Sequence, residues 1–255
     1  MKSSSVLALL FLSIQFSVPS LYAQSDTGHY QKVTYYQVNG EKLHIFEELA
    51  HHWKDTKEDL IQSGDRLAWR LYHVPFSSNE KYRYNFVSVE TASTLNALEN
   101  DIYQNPSLMA QPPLIKLFFA VHSEIWKTEA DVYGDDTPPS RYLNANFMYA
   151  QPDRISEYLE LETDIAKPLH QNQVDHNRMD GWNFNRLVFP TGTAVPYNFI
   201  TTDYYSRLEQ IEMGITREII MNVHPNMDVS EFEDYADSIR ERVWSDLWEL
   251  VEFVE

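Results

Sequence analysis

Cysteine is absent from the 255 residues. Without a thiol, the chain cannot carry a cysteine nucleophile, a thiolate metal site or an iron–sulfur cluster. Disulfide bonds are excluded as well, so the fold must be held together by its core. With 43% hydrophobic and 14% aromatic residues, the chain has ample material for one large core or two smaller ones.

Glycine is scarce, with seven in the whole chain. Loops that cradle phosphates and turns that bind dinucleotides need glycines at fixed spacings, and neither pattern occurs. The nucleophile elbow Gly-x-Ser-x-Gly is also missing. The sequence therefore predicts no cofactor.

Basic residues are outnumbered, since 20 Lys and Arg stand against 38 Asp and Glu and the formal net charge is −18. Such an acidic protein repels phosphate backbones, and no basic run offers a local exception. We expect no nucleic-acid partner. Beyond the first residues there is also no apolar run long enough for a transmembrane helix.

The first 23 residues have the order of a secretory leader. Lys2 precedes an apolar run at 6–16, and Pro19 is followed by a small-residue site that ends at Ala23. This order predicts a signal peptide at 1–23, export to the periplasm or secretion, and no membrane insertion after cleavage. A membrane anchor is the alternative, but the run is too short to span a bilayer comfortably.

One phrase occurs twice: YNFVSVETASTLNALE at 84–99 and YNFITTDYYSRLEQIE at 197–212, an offset of 113. The same offset runs without a gap from the pair Tyr36/Tyr149 to the pair Glu99/Glu212, and eleven of these 64 pairs are identical. We interpret this as an internal duplication. The predicted units are 24–132 and 142–255, joined by a linker at 133–141.

Each copy predicts the same order of elements. The first has strands at 32–38, 67–74, 82–90 and 123–133, and helices at 41–63, from 91 onward and at 112–123. The second has strands at 144–150, 181–189, 197–205 and 242–251, and helices at 154–177, 206–214 and 229–240. The order β-α-β-β-α-β is that of the ferredoxin-like unit, which makes the fold class α+β.

Two tandem ferredoxin-like units, with a Trp-bearing second strand and a Tyr-x-Phe third strand, resemble the dimeric α/β-barrel superfamily. NIPSNAP-like members, EthD-like members and small cofactor-free monooxygenases are the most similar in character. The resemblance covers nearly all of the mature chain. It implies that the two sheets pair into an intrachain barrel, a pseudo-dimer within one polypeptide, and it leaves further oligomer formation open.

A polar set follows the inner strands. Side chains alternate between the two faces of a strand, so Trp69 and Trp182 are expected to face helices and their neighbours to face the barrel. We predict that the barrel-facing polar residues line a ligand cavity: Arg70, Tyr72, Asn183, Asn185, Asn85 and Asn198. The alternative is that these side chains hydrogen-bond one another inside a filled barrel.

Three histidines are candidates for a catalytic base: His73, His170 and His176. An imidazole beside a cavity can serve as a general base, although histidines more often cap helix ends or face water.

One further pattern concerns metal binding. His44, Glu48, His51 and His52 share one helix at spacings that could seat a metal ion, but the second copy has no such set. We interpret this face as solvated and predict no metal.

Three functions remain open at this point. The first is an exported binding or accessory protein with a barrel cavity for a small ligand. The second is a cofactor-independent enzyme, an oxygenase, isomerase or lyase, acting on a small organic acid or phenol. The third is a structural or assembly role.

Overall fold

Eight antiparallel strands close into one barrel in the computed structural model, which describes residues 28–64, 66–79, 84–98, 118–134 and 139–255. The order around the barrel is β1-β3-β2-β8-β5-β7-β6-β4. Each half of the chain thus supplies four neighbouring strands, in the order fourth, first, third, second. The fold is a mixed α+β barrel, as the sequence predicts.

The strands are β1 Tyr30–Val38, β2 Ala68–Ser77, β3 Phe86–Ala92, β4 Phe118–Tyr133, β5 Tyr142–Ala150, β6 Gly181–Phe189, β7 Phe199–Tyr205 and β8 Arg240–Val254. The helices are α1 Leu43–Gln62, α2 Ile155–Glu160, α3 Lys167–Asp175, α4 Glu209–Met213, α5 Arg217–Val223 and α6 Val229–Ile239. A 3-10 turn, Gly40–Lys42, precedes α1, and a π-helical turn, Leu161–Ala166, joins α2 to α3. None of the described helices has the length and apolar composition that crossing a membrane requires.

Several predicted boundaries are wrong. The helix predicted at 112–123 is a strand from residue 118 onward, because residues 118–123 pair with β1; residues 112–117 lie outside the described residues. Strand β2 continues past Pro75 to Ser77. Proline is tolerated there because it falls within a register irregularity between His73 and Phe76. Helix α5 has no counterpart among the predicted elements.

Other predictions lie wholly or partly outside the described residues. The leader at 1–23 is one of them. Part of the linker predicted at 133–141 is another, although β4 ends at Tyr133 and β5 begins at Tyr142. The unit boundaries therefore stay predictions.

The sheet separates two kinds of core. Residues on its outer face pack under helices, and both Trp69 and Trp182 lie there with at most 1% of their surface exposed. Residues on its inner face fill the barrel; the largest are Tyr35, Tyr72, Trp126, Phe147 and Trp248. The predicted alternation of faces along β2 and β6 is confirmed.

Strand register repeats between the halves. Trp69 pairs with Glu90 across β2 and β3, and Trp182 pairs with Asp203 across β6 and β7. Both partners are displaced by 113 residues, as the sequence offset predicts. The fourth strands correspond at an offset of 122, because β1 and β5 pair with β4 and β8 in the same way.

The predicted absence of a gap is wrong at one place. Tyr35 pairs with Val87, whereas Phe147 pairs with Ile200, so β1 and β5 correspond at an offset of 112. Tyr36 is therefore the counterpart of Met148, not of Tyr149. The second copy must hold one extra residue between its first and second strands.

The π-helical turn at 161–166 is the place that accommodates such a residue. A π-turn is an α-helix with one inserted residue, and this turn lies between β5 and β6. Tyr158 holds the place of Phe46, and Glu162 follows it by four residues, as Ala50 follows Phe46. The insertion thus coincides with a buried carboxyl where the first half has an apolar residue.

Register irregularities recur as well. The register between β1 and β4 shifts after Tyr35, and that between β5 and β8 shifts after Phe147, its counterpart. The shifts between β2 and β8 also match those between β4 and β6. A bulge is a local choice of backbone, so its repetition supports common descent of the two halves.

Two buried carboxylates join the halves inside the barrel. Glu124 and Asp246 are counterparts in β4 and β8, and they are 2% and 1% exposed. The Tyr197 hydroxyl of the second half donates to Glu124, and the Tyr84 hydroxyl of the first half donates to Asp246. Burial raises the pKa of Asp246, and the hydrogen bonds it accepts oppose that rise.

Removing either hydroxyl should destabilise the protein. Tyr84→Phe keeps the ring but leaves a buried carboxylate short of a donor, a loss of about 1–3 kcal/mol in the free energy of unfolding. Tyr197→Phe should cost less, because Glu124 also accepts from Tyr35 (2.8 Å) and from Trp126 (3.0 Å). Urea unfolding measures both, with Tyr205→Phe on the outer face as the control. Equal losses in all three variants would contradict the assignment.

Stability should also fall with rising pH because of Glu162. Burial raises its pKa to about 7, with Arg240 and Tyr158 opposing the rise and Asp203 adding to it. The folded state therefore holds a proton that the unfolded chain releases near pH 4.5, so stability declines from about pH 4.5 to 7. Glu162→Gln should reduce that slope, to which Asp203 also contributes because burial raises its pKa to about 6, and should stabilise the protein at pH 8 by up to about 3 kcal/mol.

Unfolding curves across this pH range provide the measurement. Glu160→Gln, an exposed neighbour, is the matched control and should keep the slope of the unmodified protein. A Glu162→Gln profile that overlays the unmodified one would rule out this explanation.

Candidate functional site

One mouth of the barrel holds a pocket of about 360 Å³. It lies where β2 and β6 begin and where β4 and β8 end. The lining includes seven chemically functional side chains: His29, Arg70, Tyr72, Asp131, Tyr133, Tyr204 and Glu255. A volume of this size suits a small organic molecule.

Strand alternation places the charged group of this pocket. Arg70 and Tyr72 are two residues apart on β2 and face inward, whereas Trp69 and Leu71 face the helix side. The Arg70 guanidinium forms an ion pair with the Glu255 side chain through Nη2 and Oε1. Its Nε is buried and has no hydrogen-bond partner among the described residues. The guanidinium therefore retains capacity for another acceptor.

Three tyrosines form the wall opposite the solvent. Tyr72 is fully buried, Tyr204 is nearly so, and Tyr133 is 48% exposed at its ring but turns its hydroxyl inward. Burial raises the pKa of Tyr72, although the nearby Arg70 charge pulls it down. Burial likewise raises the pKa of Tyr133. Both hydroxyls stay protonated at neutral pH and can donate to a ligand oxygen.

An amide network holds this wall in position. Asn183 Nδ2 donates to the hydroxyls of Tyr204 (2.9 Å) and Tyr133 (3.2 Å). Its Oδ1 accepts from Asn185 Nδ2 (2.7 Å) and from the Thr202 hydroxyl. These hydrogen bonds of Asn183 stay within the barrel and fix the positions of the hydroxyls of Tyr204 and Tyr133.

An imidazole completes the pocket. His29 directly precedes β1, and its backbone carbonyl accepts from the Thr128 amide, which fixes this segment beside β4. Its Nδ1 is buried and makes no hydrogen bond with the residues that the structure describes. An imidazole nitrogen of this kind, next to a small-molecule pocket, is a candidate general base.

The predicted ligand-binding set divides into three groups. Arg70 and Tyr72 line the pocket, and Asn183 and Asn185 lie behind it. Asn85 and Asn198 lie elsewhere, since each bonds the backbone of the neighbouring first strand, at Val38 and Ala150 respectively. The binding role of the first two residues stays a prediction, and the last two tie strands together.

The expectation that His73 or His170 lies beside the polar set is wrong. His73 is on the outer side of β2, where its ring packs at 5.2 Å from Phe86. His170 in α3 is stacked on Trp182 at 4.7 Å, and burial lowers its pKa to about 3. His176 caps the end of α3, with Nδ1 2.7 Å from the Asn172 carbonyl. A catalytic role for any of the three would need a different site.

The helical set weighed for a metal does not assemble either. His51 pairs with Glu252 of β8 at 2.7 Å, which directs it to the sheet. Among the described residues, no group of three or more His, Asp or Glu side chains could hold a metal ion.

Sequence reasoning missed five of these pocket residues: His29, Asp131, Tyr133, Tyr204 and Glu255. Tyr204 follows from the alternation of β7, since Ile200 also faces the barrel. Tyr133 and Glu255 are counterparts at the fourth-strand offset of 122, which only the register reveals. His29 precedes the first strand, where no sequence pattern marks it as a pocket residue.

No protein-family model matches the chain, and no curated protein matches it. Several solved structures do match the chain. The chain is similar to a candidate monooxygenase of Lactobacillus acidophilus, with TM-score 0.58, 8% identity, and 89% of this chain and 96% of the other covered. An anthrone oxidase-like protein gives TM-score 0.54, 10% identity and coverage of 90% and 94%. A heme-binding protein of Thermus thermophilus gives TM-score 0.50, 8% identity and coverage of 88% and 91%.

The chain shares the fold of the dimeric α/β barrels. At such low identity the likeness extends to the fold alone, so haem binding has to be judged from the residues present. Haem needs an axial ligand that faces a slot for the porphyrin. Among the described residues, the buried His170 presents its ring to Trp182, and the adjoining space is filled by Phe184 and Phe199. With its ring stacked on Trp182, His170 does not face a slot that could hold a porphyrin.

Proposed function

We propose that the protein is a small-molecule enzyme that binds a phenol or small organic acid in the mouth pocket and activates it with its own side chains. The carrying observation is the convergence of a guanidinium, an imidazole and three phenolic hydroxyls on one pocket of about 360 Å³. Two of the similar structures are named as oxygen-using enzymes, a monooxygenase and an oxidase-like protein, which supports this class.

Each group has a chemical role in this proposal. Arg70 pairs with the negative charge of an organic acid or a phenolate. His29 accepts the proton that the substrate loses. Tyr72, Tyr133 and Tyr204 donate hydrogen bonds to the oxygen on which negative charge develops, and these donors are already oriented by Asn183. Oxygenase, isomerase and lyase reactions can all begin with such an activation, and the geometry of the site does not choose among them. The products found in the assay do.

Ligand binding without turnover is the second candidate. The Arg70–Glu255 pair and the Asn183 network satisfy much of the lining before any ligand enters, which favours a rigid receptor. An exported accessory protein of this kind would use the same pocket. The leader at 1–23 supports export in either case.

We also propose an origin for the architecture of the chain. Repeated register, repeated bulges and the 4-1-3-2 strand order of each half support two tandem ferredoxin-like units that form an intrachain pseudo-dimer. The paired Trp and Tyr-x-Phe strand motifs support a closer kinship with NIPSNAP-like and EthD-like members.

A panel of hydroxybenzoates, hydroquinones and anthrones tests the enzyme. Oxygen uptake and product masses are recorded for the unmodified protein and for Tyr204→Phe, which removes one pocket hydroxyl and keeps the ring. We expect kcat/KM to fall at least tenfold, about 1.4 kcal/mol of lost transition-state stabilisation. Tyr205→Phe, on the opposite face of the same strand, should stay within twofold.

The outcomes separate the candidates. Turnover that Tyr204→Phe leaves unchanged would overturn the pocket as the active site. Saturable binding without any product would select the accessory protein. Asn183→Leu is a poor test, because it removes the residue that both tyrosines and Thr202 share and should also lower stability.

A further inference from the structure

A second cavity lies outside the barrel, on the second half. It is a groove of about 610 Å³ between the end of β5, the end of α6 and the start of β8. Its lining comprises two arginines, two acidic residues and four uncharged residues: Arg240, Arg242, Asp237, Glu241, Tyr149, Gln151, Ser238 and Ile239. Two arginines on one groove are notable in a chain of net charge −18.

Arg240 is the unsatisfied member of this lining. Its Nε is buried and has no hydrogen-bond partner among the described residues. The Arg240 Nε atom lies 4.0 Å from Glu162 Oε1, and its Nη1 atom lies 4.0 Å from Asp237 Oδ1. Both distances are beyond that of a hydrogen bond. A buried guanidinium nitrogen without an acceptor costs free energy unless a ligand supplies one.

Glu162 lies directly behind Arg240. It is 5% exposed and sits in the π-helical turn that holds the extra residue of the second half. The first half shows what packing alone requires at the corresponding helix positions, namely Phe46 and Ala50, both fully buried. The second half has Tyr158 and Glu162 there, so an ionisable pair has replaced an apolar one at the back of the groove.

We propose that the groove is a binding site for a small organic oxyanion, such as a sulfate, phosphate or carboxylate group. Arg240 is the principal ligand, and Arg242 adds a second positive charge. Glu162 controls the site by competing for the same guanidinium. This site is separate from the mouth pocket and does not depend on the function proposed for it.

The competition follows from the charges that face Glu162. These are Arg240 from β8, Asp203 from β7 and the Tyr158 hydroxyl from α2, and Arg242 acts in turn on Asp203 and Tyr158. When Glu162 is protonated, Arg240 has no buried countercharge and favours an external oxyanion. When Glu162 ionises, which burial delays until its pKa of about 7, the carboxylate neutralises Arg240 and the oxyanion binds more weakly.

Sulfate is the probe, because its charge does not change between pH 6 and pH 8. The Arg240 Nε–H signal in a nitrogen-15 NMR spectrum reports on the ligand directly, and it is assigned by its loss in Arg240→Lys. We expect sulfate to shift this signal saturably at pH 6, and its Kd to rise at least fivefold at pH 8. Glu162→Gln should bind at pH 8 as tightly as the unmodified protein does at pH 6.

Two controls accompany the titration. Arg141, an exposed arginine paired with Glu249 at 2.8 Å, should show only small, non-saturating shifts. Sodium chloride at equal ionic strength should leave the Arg240 signal in place. Should Glu162→Gln fold poorly, Glu162→Ala, which restores the residue type of the first half, takes its place.

The results decide both parts of the proposal. If the Arg240 signal does not respond, or responds as Arg141 does, the groove is not an oxyanion site. If sulfate binds equally at pH 6 and pH 8, Glu162 does not control it.

Discussion

Two buried carboxylates that each accept a hydrogen bond from the opposite half of the chain are the constraint on which this structure depends. An ionised carboxylate inside a closed barrel is costly unless hydrogen bonds compensate it. Glu124 and Asp246 meet this requirement through Tyr197 and Tyr84, and each pair crosses between the halves. Each carboxylate therefore depends on the opposite half for one of its donors, so closure of the barrel completes its hydrogen bonding.

The two halves place different polar side chains at corresponding positions of the barrel interior. Asn183 is the counterpart of Arg70, and Tyr133 is the counterpart of Glu255. The same contact is thus built twice at the mouth, once as an amide–phenol hydrogen bond and once as an ion pair. The Asn183–Tyr133 hydrogen bond stabilises the wall of the pocket, and the Arg70–Glu255 ion pair places a guanidinium in the pocket. The π-helical turn shows a similar divergence on the outer face, where a carboxyl replaces alanine.

Much of the architecture was predictable because it rests on local pattern. Alternation along β2 and β6 assigned Trp69 and Trp182 to the helix side and Arg70 to the barrel side, and both assignments are confirmed. The site was less predictable, because a pocket is made by segments far apart in sequence. His29, Tyr133 and Glu255 meet through register between strands, which one sequence does not reveal. Of the candidate histidines, His73 was placed on the outer face by the same alternation, and His170 lies in a helix that packs against that face.

A crystal structure of the protein with 4-hydroxybenzoate at saturating concentration tests the central claim, that the barrel mouth is a small-molecule site. The account predicts the ligand in the mouth pocket, with an oxygen on the Arg70 guanidinium and another within hydrogen-bond distance of the Tyr204 or Tyr133 hydroxyl. Ligand bound under the helices near His170, or a mouth pocket that stays without ligand while binding is measured in solution, would contradict it.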